Sequence, residues 1–382
     1  MKEGWEYKKL GDIATYINGF PFKPSDWKDN GKPIIRIQNL TNPQSAFNRC
    51  PRTDIPEKYF VSSGDILISW SATLGVFEWT LEDALLNQHI FKVVFDKVTI
   101  NKQYYRYAIM TSISEMSRHT NGATMKHIRK GDFDNIKIPY PPLSEQQSIV
   151  DYLDSAFAKI EAMKANAEKA LNEAKALFQA SLKEMLEPKE GWDEKALGEL
   201  SDKIGDGLHG TPKYTDDGEY FFVNGNNLEN GVIEIKDNTK RVNHDEYEKF
   251  KLDLNSSTVL LSINGTIGKT AFYNGEPIIL GKSACYINVL PALLKEYLRY
   301  YLISDGFFNY VKSNSRQATI TNLGLKEIRR MPIPTPSLDE QQSIVATLDS
   351  LKSKVDRLQA NFDKISQECD ALKQAILRQV FE

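Results

Sequence analysis

PPLSEQQSIV at 141–150 and PSLDEQQSIV at 336–345 are near-copies of one segment, and each opens about forty residues without proline or glycine. Both stretches read as long helices. Stepping alternately by four and three, the first presents Ile149, Leu153, Ala156, Ile160, Met163, Ala167, Ala170, Ala174, Leu177 and Ser181. The second presents Ile344, Leu348, Leu351, Val355, Leu358, Phe362, Ile365, Cys369, Leu372 and Ile376 without a polar interruption. A 3.5-residue period is that of a coiled-coil seam. Ser144 with Gln147, and Asp339 with Gln342, fit capping boxes that would start the two helices. The first seam is rich in alanine and the second in large side chains, so small against large predicts that the helices pair with each other, antiparallel, within the chain.

The similarity extends beyond the helices. Glu3-Gly4-Trp5 recurs at 190–192, Leu10-Gly11 at 197–198, and ILISWSATLG (66–75) matches VLLSINGTIG (259–268). The chain thus consists of two copies in tandem. The expected segments are a domain at 1–143, a helix at 144–187, a second domain at 188–336 and a second helix at 337–382. Short apolar runs predict strands at 33–38, 65–70 and 89–95, and at 219–224, 231–236, 257–263 and 284–290. Asn230-Gly231 and Asn274-Gly275 look like hairpin turns. Helical periodicity covers Tyr104–Met116 and Leu293–Phe308. Proline-rich segments at 139–142 and 332–336 predict a stiff exit into each long helix. The expected fold is α+β: two domains of mostly antiparallel sheet plus helices, separated by an intramolecular antiparallel coiled coil, with pseudo-twofold symmetry and one domain near each end of the rod.

Bulk composition sets limits. Of 382 residues, 41% are hydrophobic, which is ordinary for a globular protein of two or three domains. Cys50, Cys285 and Cys369 lie far apart with no CxxC spacing, which argues against a disulfide framework or structural zinc and for a reducing cytoplasm. No apolar leader and no spanning run is present, so neither export nor membrane embedding is expected. Net charge is −3, distributed as +4 over 1–143, −2 over 188–336, −3 over 144–187 and −2 over 337–382. Affinity for a polyanion would have to come from local patches or from partner subunits.

The duplicated order of domain and EQQSIV-type helix, with GWEYKKLGDIA (4–14), GDILIS (64–69) and GLHGTPKY (207–214), resembles the specificity (S) subunits of type I restriction-modification enzymes over nearly the whole chain. The resemblance implies a non-catalytic subunit in which each domain is a target recognition domain reading half of a bipartite double-stranded DNA site. The helices would serve as a ruler and as docking surface for two methyltransferase (M) subunits, and restriction (R) subunits would join for cleavage. S-adenosylmethionine, ATP and Mg are expected on those partners, and no cofactor or metal on this chain.

Candidate contacts follow from residue type and placement. In GLHGTPKY, His209, Thr211, Lys213 and Tyr214 offer groups for base edges or phosphates; an ordinary surface turn accounts for the same residues. The corresponding NGFPFKPSDW (18–27) offers Phe20, Lys23 and Trp27. Before each long helix, RHTNGATMKHIRK (118–130) supplies Arg118, Asn121, Thr124 and Lys126, and SRQATITNLGLKEIRR (315–330) supplies Arg316, Gln317, Thr319 and Asn322. Asn39, Asn226 and Asn227 end predicted strands, where asparagine also forms turns.

No catalytic set emerges. GTIGKT (265–270) lacks the first glycine of a phosphate loop, since that position is Ile263. Asp217 with Glu234-Ile235-Lys236 has the residue types of a metal-dependent nuclease, but the second group sits in a run that a hairpin explains. Tyr140-Pro141-Pro142 is not the signature of an amino-methyltransferase. A stand-alone nuclease or methyltransferase, and a two-headed scaffold that never touches DNA, are the competing readings.

Overall fold

The computed structural model describes residues 5–42, 44–70, 74–119, 130–314 and 322–381, with 113–119 as helix backbone. It divides into two units, Met1–Asn166 with Asp363–Glu382, and Ala167–Phe362. The fold is α+β, with the two long helices Leu143–Leu186 and Leu338–Phe381.

Both units follow one plan. In the first, one sheet has the order Thr15–Asn18, Ile90–Val94, Ile66–Ser69, Gly75–Glu78, all antiparallel. A second has the order Asn48–Cys50, Lys32–Ile35, Ala84–Leu86, Phe60–Val61, with Lys32–Ile35 parallel to Ala84–Leu86. In the second unit the corresponding orders are Ser201–Asp206, Ala284–Val289, Thr258–Ser262, Thr270–Phe272 and Arg241–Val242, Tyr220–Val223, Ile278–Leu280. Here too the last pair is parallel.

The repeated motifs meet where each domain joins its long helix. Strand Glu6–Lys9 pairs antiparallel with Lys137–Tyr140, and Asp193–Ala196 pairs with Pro332–Thr335. The proline-rich exits are therefore strands of two-stranded ribbons, where a missing amide is tolerated. Trp5 Nε1 donates to Glu145 Oε1 at 3.0 Å, and Trp192 Nε1 to Glu340 Oε1 at 3.2 Å. The next residue is the pin. Gln146 is fully buried; its Oε1 accepts from the Asn101 amide at 2.9 Å and its Nε2 donates to the Pro141 carbonyl at 2.8 Å. Gln341 repeats this, accepting from the Leu294 amide at 2.9 Å and donating to the Ala292 and Pro336 carbonyls. Tyr107 and Tyr300 donate to Asp154 and Asp349, farther along each helix. Burial, reinforced by those carboxylates, pushes both phenol pKa values up.

The helix starts differ from the predicted capping boxes. Ser144 and Asp339 lie inside the first turn, and the Ser337 hydroxyl instead accepts from the Glu340 amide at 3.3 Å. Antiparallel pairing is visible within each unit. In the first, Lys373 pairs with Glu161, and Cys369 Sγ lies 3.8 Å from the Ile160 carbonyl oxygen. In the second, Lys175 Nζ donates to Gln359 Oε1 at 2.8 Å. Each domain core takes the start of its own helix and the end of the other. The first core contains Val150 and Leu153 with Leu377, Val380 and Phe381; the second contains Ile344 and Leu348 with Phe178, Leu182 and Leu186.

The predicted seam of the second helix stays buried or half-buried from Ile344 to Cys369, while Leu372 is exposed. In the first helix seven of the ten predicted positions hold. Leu153 and Ile160 are buried and Ile149, Ala156, Ala167, Ala174 and Ser181 half-buried, but Met163, Ala170 and Leu177 are exposed, and Leu171 and Phe178 are buried beside the last two. The seam is therefore less alanine-rich than the periodicity suggested.

Three more expectations are corrected. Leu293–Phe308 is not one helix but Lys295–Tyr301 and Asp305–Asn314, because buried Ser304 caps the second, its Oγ accepting from the Phe307 amide at 3.4 Å. Asn230-Gly231 closes the hairpin Leu228–Glu229/Val232–Ile233 with φ of 50° and 88°, as a type I′ turn requires. Asn274-Gly275 instead links Thr270–Phe272 to Ile278–Leu280, which belong to different sheets. The strand expected at 231–236 ends at Ile233, because Asn227 draws the following chain off the ladder by donating to the Glu234 carbonyl at 3.0 Å.

Two measurements check this packing. Phe178→Ala is expected to lower stability by about 3–5 kcal/mol, whereas Leu177→Ala, at an exposed neighbour, should stay within about 0.5 kcal/mol; thermal melts of the two variants would reverse that order if the seam ran through Leu177. Gln341→Ala leaves the Leu294 amide without its acceptor and should cost about 1–3 kcal/mol, while the exposed Gln342→Ala should be nearly silent in the same melts.

Candidate nucleic-acid interface

In both domains the parallel sheet pair ends in the same turn. After Lys32–Ile35, the Arg36 amide donates to Asn39 Oδ1 at 3.1 Å; after Tyr220–Val223, the Asn224 amide donates to Asn227 Oδ1 at 3.1 Å. Asn39 Nδ2 goes on to the Ser45 and Ala46 carbonyls, and Asn227 Nδ2 to the Glu234 carbonyl and Thr239 Oγ1. Both amides are buried and committed to the chain. Asn39 and Asn227 are thus corrected from base readers to turn formers. Asn226, between Asn224 and Asn227 in the second turn, is exposed.

In the second domain this turn forms one wall of an open cleft of roughly 440 Å³, lined by Tyr214, Asn224, Asn226, Asn238, Thr239 and three lysines, Lys236, Lys240 and Lys269. Lys236 pairs with Glu234 at 3.1 Å and Lys269 with Glu229 at 2.6 Å. Lys240 is exposed and has no ion-pair partner among the described residues. Amides, a phenol and cations on one concave surface are the groups that base edges and phosphates require.

The predicted loops hold equivalent places. Phe20 bridges Asn87 and Leu208 bridges Gly281, both in parallel sense. A Cβ on Gly19 would lie 2.0 Å from the Asn87 carbonyl oxygen, and one on Gly207 would lie 2.2 Å from that of Leu280, so only glycine permits either approach. Beyond Gly207, exposed His209 meets Asp206 Oδ2 at 2.6 Å, and Thr211 is exposed. The Lys213 amide donates to Glu246 while its side chain is exposed, and Tyr214 tilts against Phe222 at 5.7 Å. Of the four, Tyr214 lines the cleft, with Asn226 and Asn227.

In the first domain Lys23 is exposed and Trp27 half-buried beneath the Arg36 guanidinium, whose carbon lies 5.0 Å from the ring centroid. Phe20 is corrected to a packing residue, because its ring sits among Phe22, Tyr59 and the Arg52 guanidinium. Asn322 is exposed and bridges Asn264. Arg118 lies on the backbone of helix Lys102–His119, its side chain outside the described residues, as are Asn121, Thr124, Lys126, Arg316, Gln317 and Thr319.

The sequence reading missed Arg36, Asn48, Asn224, Lys240 and Lys269. A signal was available: IIRIQNL (34–40) set against FFVNGNNL (221–228) exposes a turn whose framework asparagine repeats while its neighbours change. GTIGKT spans a turn between two strands, not a strand-to-helix loop. Among the described residues no three His, Cys, Asp or Glu side chains group as metal ligands, and no helix is long and apolar enough to cross a membrane.

Two domains on one framework, with unlike polar side chains at matching positions and paired helices joining them in sequence, define a two-part recognition protein. The family model of the type I restriction modification DNA specificity domain matches twice, over residues 2–173 and 189–366, and the chain belongs to that family. It is 24% identical to the type I restriction enzyme EcoBI specificity subunit of Escherichia coli, covering 100% of this chain and 86% of that one. The EcoKI specificity subunit of E. coli K12 is likewise 24% identical, with 100% and 89% covered. In fold, the chain is similar to one solved in a study of complex assembly and conformational transition of the type I restriction-modification system, with TM-score 0.76, 18% identity and coverage of 100% and 98%. It is also similar to the HsdS subunit from Thermoanaerobacter tengcongensis, with TM-score 0.56, 18% identity and coverage of 100% and 97%. The protein is accordingly a non-catalytic DNA sequence-recognition subunit that works within a multisubunit restriction-modification complex.

The cleft generates one prediction. Lys240→Ala with Lys269→Ala removes two cations at the surface, so DNA affinity of the assembled complex should fall and the slope of log affinity against log salt should shrink by about one for each phosphate no longer neutralised. Fluorescence anisotropy at several salt concentrations measures both; an unchanged slope would place phosphate elsewhere.

Proposed function

We propose that each domain reads one half of a bipartite double-stranded DNA target and that the two long helices set the gap between the halves. The observation that carries this reading is the matched turn with unmatched side chains: Arg36 and Asn48 in the first domain, Asn224 and Lys240 in the second. A palindromic target would call for like residues at like positions, whereas two different half-sites need different readers. On this reading the working segments are 1–143, 144–187, 188–336 and 337–382. Lys23, Trp27, His209, Thr211, Lys213, Tyr214 and Asn226 are contacts at the cleft of the second domain and at the loops of both domains. Arg118, Asn121, Thr124 and Lys126, with Arg316, Gln317, Thr319 and Asn322, form a second set preceding each long helix.

Two methyltransferase (M) subunits dock on the helices and bring S-adenosylmethionine; restriction (R) subunits with ATP and Mg join for cleavage, all in the cytoplasm where the DNA lies. With a net charge of −3, the chain leaves much of the phosphate clamp to those partners.

Inserting four residues into each long helix at matching positions adds about 6 Å, or one to two base pairs at about 3.4 Å per step. Mapping methylated adenines in cells carrying the altered complex should return the same half-sites with a gap wider by one or two pairs. The same gap with intact methylation would refute the ruler.

A further inference from the structure

We infer that Arg36 is the residue by which the first domain selects a guanine in its half-site, an inference that rests on the DNA-reading function proposed above. Register fixes the equivalences. Ile34 lies opposite Asn48 on the antiparallel side and Leu85 on the parallel side; the Phe222 amide donates to the Lys240 carbonyl on one side and Phe222 lies opposite Ile279 on the other. Arg36 therefore corresponds to Asn224, and Asn48 to Lys240. The two domains have exchanged cation and amide between two neighbouring positions of one framework.

The side chain is also preorganised. Trp27 covers one face of the half-buried guanidinium, and Arg36 Nη1 donates to Asn48 Oδ1 at 3.0 Å. That hydrogen bond fixes the rotation of the guanidinium plane, and the ring fixes its tilt. No carboxylate pairs with it among the described residues, so the remaining N–H donors keep their charge and direction for an outside acceptor. Guanine O6 and N7 form the paired acceptor edge that two coplanar donors fit. A phosphate contact needs no such bracing, since a point charge on a flexible stem serves it. In the second domain the corresponding Asn224 Oδ1 instead accepts from Ser283 Oγ at 3.1 Å, and the cation sits on exposed Lys240, so this guanine-reading geometry is confined to one half of the target.

The test maps methylated adenines in cells carrying the full chain with its methyltransferase partner, as wild type, Arg36→Ala and Arg36→Lys. With Arg36→Ala, one guanine position of one half-site should relax, its preference falling roughly 10–100-fold, while the other half-site and the gap stay unchanged. Arg36→Lys keeps the charge and loses the fork, so it should relax the same position; it also decides the matter if the alanine variant fails to assemble. An unaltered motif with Arg36→Lys, or a uniform loss of methylation across all sites with an Arg36→Ala complex that still assembles, would mark a phosphate or structural role and overturn the proposal. A wild-type complex without any bipartite motif would sink the DNA-reading function itself.

Discussion

Each domain core is completed by the far end of the helix that belongs to the other copy. Leu377, Val380 and Phe381 enter the core that begins with Leu10 and Ile13, and Phe178, Leu182 and Leu186 enter the one that holds Leu197 and Leu200. Burying each such side chain is worth about 1.5–3 kcal/mol. Three per domain amount to a large share of the about 5–15 kcal/mol by which domains are normally stable. Neither core is built from the segment of its own copy alone, so the two copies are joined by exchange of helix ends as well as by a linker.

The same exchange gives the helices a fixed direction relative to each sheet. A helix attached by one covalent bond would swivel. Here the departure is set by a ribbon strand, a Trp–Glu hydrogen bond and a buried glutamine amide that satisfies one backbone donor and one carbonyl. The arrangement recurs at the second departure with the same residue types. EQQ is thus a joint. Its glutamate and first glutamine are spent on the domain; the second glutamine is exposed, and at the first joint it too accepts from the domain, from Asn101 Nδ2 at 2.8 Å. For the proposed spacing role, stiffness at this joint matters as much as the length of the helices.

What the sequence disclosed follows from these demands. The second helix was legible because Leu, Val, Ile and Phe occupy a single stripe of it. The first was legible at most positions but not all, because alanines lie on several faces: Ala170 satisfied the period as well as Leu171, and only burial separates them. The glutamine pins were hidden because the amides they satisfy, at Asn101 and Leu294, lie over forty residues upstream. In the clefts, residue type misled. Asparagine at a strand end is equally suited to bases and to turns, and Asn39 and Asn227 proved to be turn formers. Arg36 and Lys240 lie outside every motif that stands out in the sequence; comparing the copies position by position distinguishes them, because the framework repeats and they do not.

Charge pairing in the second cleft separates two jobs that DNA-binding proteins often combine. Lys236 and Lys269 are each set against a neighbouring glutamate, which holds the local field near neutrality until a phosphate competes for the ammonium. Exposed pairs of this kind are worth at most about 1 kcal/mol, so the competition is easily won on DNA. Off DNA, such a surface does not hold non-specific duplex tightly, since sequence-independent affinity scales with the number of phosphates neutralised. Directed donors such as the amides and the braced guanidinium lose little from this, because their discrimination comes from geometry at base edges. A chain with a net charge of −3 can therefore carry the sequence information of a larger assembly while contributing only part of its grip.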